Sequence, residues 1–277
     1  MKSKNIKTAS IALAAVALIA VLLALLIPID KHNKELDKYG DLAEAAETDE
    51  RARYIIDNID LYPNEMVDSY NSAKDDKKEQ TLDFVYNYPF HKDDYSNMEF
   101  TEEELNAETV PALYMADFRW GYEKISGSYI KSQGCAAVAL TMAYLYLRHD
   151  SDVDPKKIAD YAEENDCIMP VIGGINSLDM DKVAEGIGLS CKVYNYDKDE
   201  GGSGEADIET IQSILNEGHV VMAGMVGETF GGHAIIIREC SDDGTLYIND
   251  PASPEKTEKE WNIADIGSEI YYIWDLS

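Results

Sequence analysis

The chain of 277 residues is 45% hydrophobic and 9% aromatic, enough to bury a substantial core and too apolar for wholesale disorder. Its 53 acidic residues against 24 basic ones leave a net charge of −29, which repels phosphate backbones and excludes nucleic acid as a partner. Four cysteines and five histidines form no CxxC pair and no ligand-like spacing, so no metal site or dense disulfide framework is expected. Cys167 and Cys191 either pair in an exported domain or stay as two inert thiols. The acidic surface serves solubility in a crowded or salty exterior, or draws basic substrates.

The N-terminus carries Lys2, Lys4 and Lys7, and residues 9 to 29 then hold no charge and are mostly Leu, Ala, Ile and Val. About 20 such residues cross a hydrocarbon core as a helix, whereas the apolar part of a cleavable signal is about 7–15 residues. The run ends in Leu26-Ile27-Pro28-Ile29, without a small-x-small cleavage site. The expectation is a cytoplasmic tail at 1–8 and an uncleaved transmembrane anchor at 9–29, with the remainder outside the cytoplasm. Lys31, Lys34 and Lys38 beyond the span weaken the lysine asymmetry on which that orientation rests.

Residues 30–108 are polar, acidic and rich in tyrosine, and read as an acidic helical stalk and linker. "TDERARYIIDNIDLYP" places Ala52, Ile55, Ile56 and Ile59 at helical spacing and stops at Pro63. A second helix is expected over "KKEQTLDFVYNYP", ending before Pro89. "HKDDYSNMEFTEEELNAET" has little apolar periodicity and reads as linker. Nothing in this segment looks catalytic.

The domain expected to carry chemistry runs from 109 to 277. In "QGCAAVALTMAYLYL", Cys135 stands behind Gly134 at the start of a helix marked by Val138, Thr141, Met142 and Leu145. Unsatisfied N–H groups and the positive dipole end of a first turn favour a thiolate and can receive an oxyanion. "VDPKKIADYAEEND" has an acidic cap and an early proline. "SLDMDKVAEGIG" and "DIETIQSILNEG" end in glycine, as helix C-termini do.

After Gly218 the pattern changes to short apolar runs, "HVVMAGMV", "HAIIIREC" and "TLYINDP". The last two flank "SDDG" as a hairpin. Helices first and antiparallel strands afterwards indicate an α+β domain. The hairpin brings His233, at the head of its first strand, and Asp250, at the foot of its second, to one end. A histidine backed by a carboxylate and facing a helix-tip cysteine is the arrangement of nucleophile, general base and orienting acid. His219 also starts a strand, but no carboxylate-bearing partner strand is apparent for it. "DEGGSGEAD" reads as a flexible loop, and "PVIGGINS" as a turn that lines a substrate groove.

These residues carry a resemblance. Over roughly 60 to 277 the chain resembles the papain-like cysteine peptidases related to the double-glycine, bacteriocin-processing peptidases, in a stand-alone exported form. The matching stretches are "LYP", "TLDFVYNYP", "DFRWGY", "QGCAAVAL", "GGHAIII", "DGTLYINDPAS" and "YYIWDL". The resemblance implies a papain-like fold, N-terminal helices packed on an antiparallel β-sheet, preceded here by one transmembrane helix. It implies Cys135 as nucleophile, His233 as general base and Asp250 as orienting carboxylate, acting on a peptide or protein substrate with no metal or organic cofactor.

One position departs from the family. A glutamine that helps form the oxyanion hole usually stands two residues before the aspartate of "D-x-R-W", and here that residue is Met115. Losing one such donor costs about 10²–10³ in turnover, which a slow enzyme survives. Gln133 is the substitute donor the sequence offers. The expectation is a membrane-anchored extracytoplasmic cysteine peptidase. The alternatives are a catalytically silent relative that binds peptides or acts as a scaffold, and another acyl transfer through the same thiol.

Overall fold

The computed structural model describes residues 39–277, apart from 171, 172, 198 and 200. The anchor expected at 9–29 lies outside the described residues. Among those described, no helix is long and apolar enough to cross a membrane. The chain divides into two compact units, one ending at Phe90 and one running from His91 to Ser277.

The first unit is helical: α1 (Asp41–Ala45), α2 (Glu50–Asp57), α3 (Asn64–Asn71) and most of α4 (Lys78–His91). Leu42, Ile55, Met66 and Val85 are fully buried in it. Asp49 caps α2 by accepting from the Arg51 N–H at 2.8 Å. Lys78 pairs with Asp41 at 2.6 Å and Arg51 with Glu79 at 2.7 Å, both at the surface. The helix expected to stop before Pro89 instead runs through it to His91. Pro89 falls in the last turn, where its ring and missing N–H disturb only one hydrogen bond.

In the second unit, α5 (Glu102–Leu105) is closed by a capping box between Thr101 and Glu104. The stretch read as linker thus has its own local structure and belongs to this unit. A small ribbon, β1 (Lys124–Ile125) and β2 (Ser128–Tyr129), leads into α6 (Ile130–Gln133) and the long α7 (Cys135–Arg148). Then come α8 (Pro155–Glu164), α9 (Met180–Gly186), β3 (Cys191–Asn195), α10 (Ile208–Asn216) and β4 (Val220–Met225). The chain closes with β5 (His233–Cys240), β6 (Thr245–Asn249), α11 (Pro254–Glu258), β7 (Trp261–Asn262), α12 (Ile263–Ile266) and β8 (Ile270–Leu276).

Strands β3 to β8 form one antiparallel six-stranded sheet in the order β3-β8-β4-β5-β6-β7. The unit is α+β, as its run of helices followed by strands implied. Val220, Met222, Ala234, Ile236, Tyr272 and Trp274 point to one face, into a core shared with α7, α8 and α9. Their alternates Val221, Ala223, Ile235, Ile237 and Ile273 point to the other, against α10. Both faces are covered, which is why β4 and β5 read as unbroken apolar runs.

The "DFRW" stretch is a structural knot in this unit. Arg119 bridges Glu104 at 2.6 Å and Asp117 at 2.7 Å, and lies 4.5 Å over the Trp120 ring. The Trp120 indole, fully buried, donates to the Tyr114 carbonyl at 2.9 Å.

Candidate active site

Cys135 is the first residue of α7, and its position depends on Gly134. A side-chain carbon at Gly134 would lie 2.5 Å from Ile130 Cγ2 and 2.6 Å from the Ile130 carbonyl oxygen. The tight junction of α6 with α7, closed by the Gly134 N–H on the Ile130 carbonyl at 2.7 Å, therefore requires glycine. The α7 interior is fully buried from Ala137 to Leu140, so the sulfur sits on a helix anchored in the core.

His233 opens β5, opposite Met225 of β4. Asp250 follows β6, and the β5–β6 ladder places Asn249 opposite Ile236. The His233 Nε2 lies 2.6 Å from Asp250 Oδ1, with the His233 side chain 10% exposed and that of Asp250 1%. Asp250 Oδ1 also accepts from the Ala252 N–H at 2.8 Å, while the Asp250 N–H donates to Thr257 Oγ1 at 2.9 Å. "NDPASPEKT" is thus a turn followed by a helix capped through Ser253, and the turn holds the carboxylate still.

With Nε2 committed to Asp250, Nδ1 is the ring nitrogen left, and the His233 ring shares a cleft with the Cys135 sulfur and acts on its ionisation. Burial pushes the Cys135 thiol up. The bond from His233, the charge on that ring and the N–H groups of Ala234 and Ala136 outweigh it, holding the thiol below its ordinary value. Burial pulls His233 down, but Asp250 and Cys135 together push it up to about 10. Burial raises Asp250 as well, and its bond with His233 brings it below the usual carboxylate range. Thiolate, imidazolium and carboxylate therefore support one another. Such a relay can attack a carbonyl and return a proton to a leaving group.

The model of the Peptidase_C39 like family matches residues 110–275, more than half the chain and the stretch that holds all three side chains. The chain belongs to that family.

This C39-like chain has no match among curated proteins. It is similar to the peptidase domain of Streptococcus ComA, a bi-functional ABC transporter involved in a quorum-sensing pathway. There the identity is 13% over 52% of this chain and 91% of that one, with a TM-score of 0.36. It is also similar to a double glycine motif protease from an AMS/PCAT transporter in complex with its leader peptide. That match has 14% identity over 62% of this chain and 94% of the other, with a TM-score of 0.33. Membership of the family points to a cysteine peptidase as the class of enzyme.

The two amide-donor positions lie differently in the C39-like domain. Met115 is buried in the core, and its backbone N–H donates to the Pro251 carbonyl at 2.8 Å, so its segment runs beside the Asp250 turn. Gln133 lines the same cleft as Cys135 and His233. Gly174, Ile175 and Ser177 of "PVIGGINS" line it too.

A second cluster of the same residue types makes a useful contrast. His219 Nδ1 lies 2.7 Å from Asp275 Oδ1, so the carboxylate partner not apparent from sequence exists, on β8. A cavity of about 370 Å³ is lined by both and by Cys191. Yet burial and the acids Asp181, Glu185 and Asp275 push the Cys191 thiol up to about 12. Burial and Asp242 also raise Cys240. All four cysteines are free. Among the thiols whose value shifts, only Cys135 is moved toward the anion.

Proposed function

We propose that this chain is a membrane-anchored cysteine peptidase that hydrolyses peptide bonds outside the cytoplasm, with residues 9–29 as the anchor and 1–8 on the cytoplasmic side. The observation that supports the reading is the His233–Asp250 pair, 2.6 Å apart, standing in one cleft with Cys135 at the start of α7. The Cys135 thiolate attacks the peptide carbonyl and forms a tetrahedral oxyanion. Collapse of that intermediate expels the amine, which takes its proton from His233 Nδ1, and leaves a thioester. Water, deprotonated by the same nitrogen, attacks the thioester, and collapse releases the acid and restores the thiolate beside the protonated ring. Asp250 keeps the ring oriented and stabilises its charged form. The oxyanion is received by first-turn N–H groups of α7 and by the Gln133 side-chain amide.

The test compares wild type with Cys135→Ala in membrane vesicles of defined orientation. Hydrolysis of a peptide library by the wild type, lost in the variant and confined to the non-cytoplasmic face, supports the reading. A wild type that cleaves nothing and whose Cys135 is alkylated no faster than Cys191 or Cys240 removes it. The absence of a side-chain donor at Met115 favours the second reading, a silent relative that binds peptides in the same cleft. In that case Cys135→Ala leaves peptide affinity unchanged and no product appears.

A further inference from the structure

Cys135 and His233 line a cleft of about 480 Å³, within the range of about 300–1,000 Å³ typical of sites that enclose a ligand. Its floor is buried and apolar, with Ile175, Met180, Met225 and Trp274 each at most 5% exposed. A side-chain carbon at Gly224 would come within 2.6 Å of Trp274 Cη2, so the indole packs directly onto the β4 backbone. The rim is apolar as well and meets water. Met169 is half-buried, and Val226, just past β4, is 48% exposed. Leu178, 62% exposed, stands between Ser177 and Met180, both of which line the cleft. Among the described residues of the second unit, Leu178, Val193 and Val226 are the large apolar side chains left exposed, and two of the three border this cleft.

Polar groups in the lining are few. Apart from the reacting pair and two tyrosines, they belong to Gln133, Ser177 and Asp197. Gln133 is the oxyanion donor of the reading above, and Asp197 Oδ1 accepts from the Asp199 N–H at 2.9 Å. A peptide that acylates Cys135 keeps its acyl half bonded to the sulfur, so the side chains of that half are the ones held against these walls. Glycine there would leave the methionine and isoleucine surface wet. Leucine would cover it and release the water. Asparagine, close to leucine in shape, would give up hydrogen bonds to water that apolar walls do not replace.

We propose that this cleft is a specificity subsite for a large apolar side chain, leucine in the acyl half of a peptide substrate, and that Met169 and Val226 are its specificity-determining residues. The inference rests on the peptidase reading above and adds the substrate class. It sets this chain apart from an enzyme that requires glycine next to the scissile bond.

The experiment measures covalent labelling of Cys135 in the full chain by peptidyl acyloxymethyl ketones. These carry Gly, Leu, Asn or Lys at each of the two positions before the reacting carbonyl. At one of those positions the leucine probe is expected to exceed glycine by at least about tenfold, as burial of a large apolar side chain requires. Asparagine should fall behind leucine by at least as much. Met169→Ser and Val226→Ser should each lower the leucine-to-glycine ratio by about fourfold, the effect of about one buried methylene. Both side chains already meet water, so the fold tolerates these changes. Glycine or asparagine as fast as leucine at both positions overturns the proposal. Lysine as fast as leucine overturns it too, because a cation drawn to Asp197 would then decide the choice. A ratio that neither variant moves overturns the role given to Met169 and Val226. Iodoacetamide, which has no peptide part, separates the two readings. Preferential alkylation of Cys135 with the wrong probe order defeats only the subsite, whereas no preference for Cys135 defeats the peptidase reading.

Discussion

Lys256 Nζ stands 3.9 Å from Asp250 Oδ2, the carboxylate oxygen that is buried without a hydrogen-bond partner among the described residues. The same ammonium donates to the Thr229 carbonyl at 2.7 Å and lies 4.4 Å over the Phe230 ring. Glu269 holds that loop from the other side, accepting from the Thr229 N–H at 3.0 Å and the Phe230 N–H at 3.2 Å. The loop leads through Gly231 and Gly232 straight into His233. Lys256 therefore steadies both the carboxylate and the backbone that delivers the imidazole.

Lys256→Met removes the charge and keeps the stem length. The Asp250 carboxyl should rise, the imidazolium should lose support, and kcat should fall about tenfold, equivalent to about 1.4 kcal/mol. KM should move little, because Lys256 does not line the cleft. Lys256→Arg, which keeps the charge, should restore most of the rate. Steady-state kinetics on the three proteins decides it, since a purely structural lysine would not be rescued by charge.

The pH profile has a direction fixed by the shifts. The His233 ring is raised from 6.5 to about 10, so it stays protonated at neutral pH and loses its proton as the medium passes about 10. Peptide hydrolysis, which needs that proton for the leaving amine, should decline above about 10. Alkylation of Cys135 needs only the thiolate and should not decline there. The stabilising effect of a raised histidine is complete below 6.5 and is lost on the way up to about 10. The lowered Cys135 and Asp250 behave oppositely, losing their contributions as pH falls. In Cys135→Ala the thiol no longer offsets the histidine, and the histidine loses one of the groups that raise it, so the melting temperature should begin to fall just above pH 6.5 and level off before pH 10.

What was legible in the sequence was what neighbours in sequence determine. Gly134 before an apolar run marked the start of α7 at Cys135, and "SDDG" between two apolar runs marked the hairpin that joins His233 to Asp250. What was not legible depends on β8. It is last in the chain but sits between β3 and β4, so no local pattern announces that Asp275 will meet His219 or that Glu269 will brace the loop before His233. Trp274 reads in sequence as one more core aromatic. Only the packing of its ring against Gly224 and the lack of a partner for its Nε1 among the described residues distinguish it. Pro89 shows the reverse error, a breaker signal overridden because it falls in the final turn of α4.

Gln133 carries a prediction of its own. It lines the cleft with Cys135, whereas Met115 is buried in the core and has no side-chain donor. Gln133→Ala should lower kcat by about 10²–10³, the usual effect of removing one oxyanion donor. Its side chain is only partly buried, so the melting temperature should hardly change. An unchanged kcat would leave backbone N–H groups as the sole oxyanion donors.

Gly134→Ala tests whether the helix start itself makes the nucleophile. The new methyl group would lie 2.5 Å from Ile130 Cγ2 and 2.6 Å from the Ile130 oxygen, and the latter is backbone that cannot rotate away. Either α6 or the first turn of α7 must shift. Ile130 is fully buried, so α6 resists, and the shift falls on the turn that carries Cys135. Overpacking of this kind costs about 1–3 kcal/mol. A displacement of about 1 Å at a reacting atom is enough to cost about 10²-fold in rate. The variant should remain folded by circular dichroism, with a lowered melting temperature and slow alkylation of Cys135. Its Cys191 and Cys240, which belong to β3 and β5, should react as in wild type. A Gly134→Ala protein whose Cys135 still outpaces the other thiols would show that the histidine alone activates the sulfur.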